Sequence, residues 1–478
     1  MASGGFKTIL GMAQRFVACD REQSFLMPPD VREWLPENHL AWFVLSAVEE
    51  MDLDAFYAAH RVDGRSRPPY DPAMMVALLL YAYARGIPSS RVIERACEED
   101  VAFRVIAAQQ QPDHATIARF LERHQEALAG LFAEVLTLCA RSGLAKVGVI
   151  AVDGTKVQAN ASRNENLDYE QLAREIVEEA IATDAAEDEL YGDRRGDELP
   201  PEFSTSAGRR GWLREAKKRL EAERSANPQP VPRERPKRVE QAKRRLDEEL
   251  FTEVRANQAY EAWRARGIAA DGSRRMAPGT IKPYTPPPVP EGRINLTDPD
   301  SKVVKALRGW IQGYNAQAVT NEQQVILAAE IETVGGDFGH LEPMLDATGR
   351  ELAAAGVKDT PGVLLADAGY WHGEQMQRIT DRGIEVLIPP DTSRKRTTRR
   401  NWDGGRYDAM RELLASERGG ELYRKRQPMI EPVFAQMKFN RGLDRFRRRG
   451  RGAVRTEWRL ITATHNLLKL HRHTLATA

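Results

Sequence analysis

Three observations in the sequence predict an α/β protein, a mixed sheet flanked by helices with an N-terminal all-α region and a helical insertion. The first 144 residues repeat apolar side chains at helical spacing and contain no strand-like run. Short β-branched and apolar runs then appear at residues 147–152, from residue 310 onward, and at "GVLLA". Between about residues 164 and 281 the pattern returns to amphipathic helix. Strands that alternate with helices are most simply satisfied by one sheet covered by helices.

In the first region, "PAMMVALLLYAYARGIP" is a helix ended by Gly86 and Pro88. "SSRVIERACEEDVAFRVIAA" opens on serine caps and reads as one helix. "PDHATIARFLERHQEALAGLFAEVLTLCARSG" enters at Pro112 and Asp113 and closes at Gly143, again as one helix. Residues 1–144 therefore form a compact helical domain. Short helices on tight turns fit a helix-turn-helix DNA reader and fit a plain bundle. Arg119 and Arg123, four apart, permit a DNA-facing side.

At "KVGVIAVDGTKVQANAS" a buried strand meets Asp153-Gly154, a turn pair, and "TKVQANA" alternates after it, so a β-hairpin is predicted. The insertion follows, with oppositely charged residues three and four apart. Pro-rich breaks occur at "ANPQPVPRERPKR" and "MAPGTIKPYTPPPVPEG". Two strands about an Asn-Glu turn, a helix, the strand "GVLLA", a helix, the strand "IEVLIPP" and C-terminal helices complete the order. Pro432 puts the start of one of those helices near Glu431.

Formal net charge is +1, so bulk charge does not announce a nucleic-acid partner. Its distribution is more telling: residues 165–202 are mostly acidic, while 209–245 and 441–459 are basic. Cys19, Cys97 and Cys139 are odd in number and far apart, which argues against a disulfide framework or a zinc site. With no signal peptide at the N-terminus and no apolar run long enough to span a bilayer, a cytoplasmic protein without a membrane partner is expected.

Two carboxylates stand out. Asp153 follows "VGVIAV" and Asp367 follows "GVLLA". Acids at the ends of buried strands point into the crevice where α/β proteins bind ligands, and they are poorly solvated without a cation. Oxygen-only ligands suit Mg2+ or Mn2+. Glu431, in a run of Arg and Lys, would complete three carboxylates. Arg424, Glu431 and Lys438 are spaced by seven, which places them on one helix face. An acid before glycine is also an ordinary turn signature, so from the residues alone both roles stay open.

The chain resembles bacterial insertion-sequence transposases of the DDE class, which have an RNase H-like catalytic domain. The segments that carry the resemblance are "VIAVDGTKVQANAS", "LLADAGYWHGEQM" and "YRKRQPMIEPVFAQMKFNRGLDRFRRRG". The last resembles the Tyr…Arg…Glu…Lys signature of these enzymes, here Tyr423, Arg426, Glu431 and Lys438, with four residues between Arg426 and Glu431 where many relatives have three. "GYNAQAV" and "EWRLITATHNLLKL" are also similar to family segments.

The resemblance implies a catalytic domain over residues 145–478, interrupted by the insertion. It implies that Asp153, Asp367 and Glu431 are catalytic and hold two Mg2+ or Mn2+ ions. The reaction it implies is cutting of element ends by phosphodiester hydrolysis, then transesterification into target DNA. The implied partners are double-stranded DNA, as terminal inverted repeats and target, and a second copy in a homodimeric synaptic complex in the cytoplasm, at the nucleoid. An RNase H-like nuclease and a non-cutting DNA-binding protein derived from a transposase are the alternatives.

Tyr423, Arg426 and Lys438 are expected beside the scissile phosphate. Arg447 and Arg449 of "RFRRRGRG" are expected to grip phosphates, with Phe446 and the glycines letting the chain lie close to DNA. Trp371 either stacks on a base or packs a strand–helix junction, and Lys156 either touches phosphate or is solvated. His465 is expected to be structural, and His340 to cap a helix.

Overall fold

The computed structural model describes residues 30–59, 68–182, 209–227, 229–265, 287–306, 309–333, 335–391 and 404–477. Cys19, most of the Pro-rich stretch after Met276 and much of the acidic block lie outside the described residues. Among the described residues there are eight strands: β1 (Val149–Gln158), β2 (Asn166–Asp168), β3 (Arg293–Asn295), β4 (Lys302–Ala306), β5 (Gly309–Asn321), β6 (Ile326–Glu332), β7 (Val363–Leu365) and β8 (Glu385–Leu387). The chain divides into two compact units, Met1–Gln158 with Tyr314–Arg448 and Ala453–Ala478, and Ala159–Gly313 with Arg449–Gly452. β5 begins in the second unit and ends in the first.

In the first unit, the helix Pro72–Ala84 is buried along nearly its whole length, as its unbroken apolar sequence requires. Asp71 caps it by accepting the Ala73 N–H at 3.0 Å, and Pro72 supplies the preset first turn. Gly86 ends it with φ +77°, where a Cβ would also strike the Arg441 carbonyl, so only glycine fits. Two helices expected to be continuous are each broken. Asp100 stops Ser90–Glu99 and caps Val101–Ile106 by accepting the Ala102 and Phe103 N–H groups. His124 separates His114–Arg123 from Gln125–Arg141, its ring 4.4 Å from that of Phe120 and 5.3 Å from that of Phe56.

The sheet of this unit is mixed. β5 lies between β1 and β6, antiparallel to β6; β7 lies between β1 and β8, parallel to both. The predicted β-hairpin at Asp153-Gly154 is corrected: β1 is one unbroken ten-residue strand that runs straight through this pair. The long C-terminal helix, Arg451–Thr477, presents Trp458, whose Nε1 donates to the Gln317 carbonyl at 2.9 Å. Asn466 both donates to the Ile326 carbonyl and accepts its N–H, each at 2.8 Å, and so pins the start of β6. His465 is buried between Gln436 and the Gln324 carbonyl, and burial with the nearby Arg441 charge pushes its imidazole down to about 3. It is a neutral structural histidine, as expected.

The second unit holds the helices Tyr169–Ala182, Arg209–Ala226 and Arg235–Ala265. Leu172, Val239, Ala242, Leu246, Ile294 and Leu296 form a small core beside the antiparallel pair β2–β3. Arg224 ties the helices by ion pairs to Glu249 at 3.0 Å and Glu248 at 3.1 Å. β4 pairs antiparallel with residues 309–313 of β5.

Candidate active site

The site lies wholly in the first unit, where β7 ends beside β1. The register that pairs Val149 with Val363 and Ala151 with Leu365 carries an offset of 214. Asp367 follows two residues after β7 ends, where β1 runs on past its partner, and its negative charge acts on Asp153.

Asp153 is mostly buried and forms an ion pair with Arg426, Oδ2 to Nη1 at 2.9 Å. Burial pushes its carboxyl up from 3.8 to about 6; Arg426 opposes that rise, and the negative charges of Asp367 and Asp337 add to it. Asp367 caps the short turn Ala368–Tyr370 by accepting the Gly369 N–H at 2.8 Å.

Glu431 is exposed, on the helix Arg426–Ala435. That helix starts at Arg426 rather than near Glu431 and carries Pro432 within it. Arg424 belongs to the preceding helix and donates to its own Gly420 carbonyl at 3.0 Å, so the predicted single face of Arg424, Glu431 and Lys438 is broken at Lys425. Glu431 accepts from Gln427 at 3.1 Å and stands 3.9 Å from the Arg426 guanidinium, which thus lies between Glu431 and Asp153. Tyr423 is half-buried against Arg426, and burial raises its hydroxyl above the ordinary value. Lys438, in a π-helical turn, donates to Thr155 Oγ1 at 3.1 Å and to the Lys156 carbonyl at 2.8 Å. Burial lowers its ammonium below the usual lysine range.

Sequence reasoning missed a third aspartate. Asp337 Oδ1 accepts from Asn315 at 2.9 Å, Gln317 at 3.0 Å and Lys156 at 3.3 Å. Lys156 also donates to Asn315 Oδ1 at 2.7 Å, so it is neither solvated nor free for phosphate. Gln317 in turn accepts from the buried Tyr370 hydroxyl. A Cβ on Gly154 would lie 2.6 Å from Asn315 Oδ1 and 2.8 Å from Asp337 Oδ1; one on Gly369 would lie 2.9 Å from Asp367 Oδ1 and 3.4 Å from Asp337 Oδ2. Both glycines are there so that carboxylates can close over them. The available signal was the pair Asn315 and Gln317, two polar residues at period two inside the buried part of β5, residues 312–321.

Among the described residues, no three His, Cys, Asp or Glu side chains are gathered closely enough to hold a metal ion as they stand. The donors present still suit a hard divalent cation. They are all oxygen, Asp153 is held in a desolvated place with a cation beside it, and Gly369 leaves the Asp367 and Asp337 oxygens room to approach.

Two family models match the chain, a transposase domain (DUF772) at residues 29–123 and a transposase DDE domain at residues 389–471. The two matches support an insertion-sequence DDE transposase. The DDE match contains Tyr423, Arg426, Glu431 and Lys438, and the other covers the helices that carry Arg119 and Arg123. No curated protein and no solved structure matches. Among the described residues no helix of the chain is long and apolar enough to cross a membrane.

Other residues expected to matter are placed as follows. Arg119 and Arg123 are exposed; Arg119 bonds within its own helix, to Ala115 and Thr116, and Arg123 donates to the Ala59 carbonyl. Phe446 is fully buried against Tyr314 and Trp458, so it anchors the arginine segment in the core rather than lying on DNA. Buried Glu457 accepts the backbone N–H groups of Arg447 and Arg448 at 2.9 to 3.0 Å. Arg448 reaches Gln125 at 3.1 Å, and in the second unit Arg449 donates to the Asn160 carbonyl at 2.9 Å. Trp371 is buried and stacks on Tyr407 at 5.2 Å, the packing alternative. His340 stands at a helix start but makes no capping bond; it lies 3.6 Å from Glu332.

Proposed function

We propose that this transposase cuts the ends of an insertion sequence and joins them to target DNA, with Asp153, Asp367 and Glu431 as its metal-holding acids. The observation that carries the reading is the closeness of Asp153 to Asp367, whose negative charge acts on it just beyond the end of β7, with Arg426 linking Asp153 to Glu431. Mg2+ or Mn2+ held by these carboxylates would supply Lewis-acid polarisation of a phosphodiester and of an attacking water or hydroxyl.

The chain's own residues do the rest. Arg426 neutralises Asp153 in the metal-free protein, and its release frees both Asp153 and Glu431 for a cation while its guanidinium turns to a phosphate. Lys438 spends two of its three N–H donors on β1 and keeps one for the DNA backbone. Asp337 is a positioning residue: it fixes Lys156, Asn315 and Gln317 beneath Gly154 and so sets where Asp153 emerges. Tyr423 orients Arg426.

In the first reaction water displaces the 3′ oxygen of a phosphodiester at the element end, leaving a 3′-hydroxyl and a 5′-phosphate. In the second, that 3′-hydroxyl attacks a target phosphodiester and displaces the target's 3′ oxygen. Arg447 and Arg449, with Arg119 and Arg123 on the helical region, are proposed to hold DNA phosphates. Two ends must meet, so the working form is proposed to be a homodimer.

The test is incubation of the full chain with element-end duplex, target duplex and Mg2+, with products resolved by size. Cut ends joined to target are expected. Cutting without joining would indicate a nuclease, and binding without cutting a DNA-binding remnant.

A further inference from the structure

The second unit contains a cavity of about 650 Å³ whose wall includes Arg163, Arg293, Lys302, Asn166 and Ser301. Its base is built rather than incidental. Buried Gln312 donates to Ser301 Oγ at 2.8 Å and accepts from Asn166 at 2.9 Å, and Asn166 also donates to the Arg163 carbonyl at 2.8 Å.

The three cations are weakly neutralised. Arg163 donates to the neutral Trp310 carbonyl at 3.1 Å. Arg293 stands 3.9 Å from Asp168, and Lys302 stands 3.9 Å from Glu249, which Arg224 already holds at 3.0 Å. Glu165, beside Arg163 in sequence, is paired to Arg235 at 3.1 Å. Charges at the outer limit of ion pairing retain most of their attraction for an external anion.

Next to the cavity, the β4–β5 ladder pairs Val303 with Gln312 and Lys305 with Trp310. Val303 also lines the cavity, and Trp310 is tied to that lining through its carbonyl, which accepts from Arg163. Trp310 is 57% exposed, an unusual state for the largest residue, and exposed Lys305 lies directly across from it.

We propose that this face is a DNA-backbone site in its own right: Arg163, Arg293 and Lys302 take phosphates at the cavity, and Trp310 takes the face of an unstacked base. Cations that track a backbone beside an aromatic platform are the chemistry of strand ends and single-stranded flanks, since every base offers a π-face. The proposal rests on the transposase reading, which supplies DNA with such ends.

The experiment measures binding of the full-length chain to a fully paired duplex and to one with a 3′ single-stranded flank, from 50 to 200 mM salt (roughly the range over which such slopes are read). Arg163→Gln/Arg293→Gln/Lys302→Gln should lower the slope of log affinity against log salt by about 2 to 3, close to 0.9 per phosphate. Trp310→Ala should leave the slope unchanged and weaken binding of the flanked duplex by roughly 5- to 100-fold, with Trp310→Phe recovering most of it. Should the triple variant fail to fold, Arg293→Gln alone alters one exposed side chain and should lower the slope by about 0.9. A folded charge variant with the wild-type slope, or a Trp310→Ala variant with wild-type affinity for the flanked duplex, overturns the proposal. Wild-type cutting and joining with either of those results leaves the transposase reading standing; a wild type that neither binds nor cuts DNA overturns both.

Discussion

Asp153 should make the metal-free protein less stable as pH rises. Its carboxyl is pushed from 3.8 to about 6, chiefly by burial, with Arg426 only partly opposing the rise. Below pH 4 the group is protonated in both folded and unfolded chains and costs nothing. Between pH 4 and pH 6 the unfolded chain releases a proton that the folded chain keeps, so stability falls with rising pH. Above pH 6 both forms are ionised and the loss is complete. A gap of about two pH units corresponds to about 3 kcal/mol. Replacing Asp153 by Asn removes the titration, and the cost of leaving Arg426 without its partner does not vary with pH. Urea unfolding of wild type and Asp153→Asn at steps from pH 4 to 7, without divalent cation, should therefore show the variant gaining about 3 kcal/mol relative to wild type across that range. Parallel curves would refute the assignment of a desolvated Asp153. Mn2+ favours the ionised carboxylate, so its stabilisation of wild type should grow from pH 5 to 7 and be absent in the variant.

Three further outcomes follow from the packing. Asp337→Asn leaves Lys156 without its acid and should cost about 2 kcal/mol by denaturation, with cleavage lowered because β1 loses its support. Gly154→Ala drives a methyl into Asn315 and Asp337 and should cost about 1 to 3 kcal/mol, with less cleavage, in a protein whose circular dichroism is unchanged. Glu457→Gln withdraws a buried carboxylate from the Arg447 and Arg448 N–H groups, so those amides should exchange hydrogen faster while the amides of β1 do not.

Asp153 and Asp367 were legible because each follows an apolar run, although β1 continues past Asp153 to Gln158 and β7 ends two residues before Asp367. The same pair Asp153-Gly154 misled the prediction of a hairpin. Glycine stands there to admit Asn315 and Asp337 across the sheet, a tertiary cause that imitates turn chemistry. Asp337 was not legible, since its meaning comes from the pairing of β5 with β6 and β1 rather than from its neighbours in sequence. The arginine segment shows the same limit. Local charge suggested an arm laid on DNA, whereas buried Glu457 and Phe446 fix its backbone to the core, and Arg441 and Arg459 are buried structural cations. The split at Asp100 was present in the sequence as a cap residue before "VAF" but was hidden by the continuous apolar spacing around it.

The central claim is that Asp153, Asp367 and Glu431 act as one metal-dependent unit. It is tested most directly by cleavage of end DNA in Mg2+ by Asp153→Asn, Asp367→Asn and Glu431→Gln, each first shown to be folded and able to bind DNA. Each single variant should lose cutting, and any double variant should be little worse than a single one, as for groups that act as a unit. Wild-type cutting by any one of the three would remove that residue from the site and contradict the account.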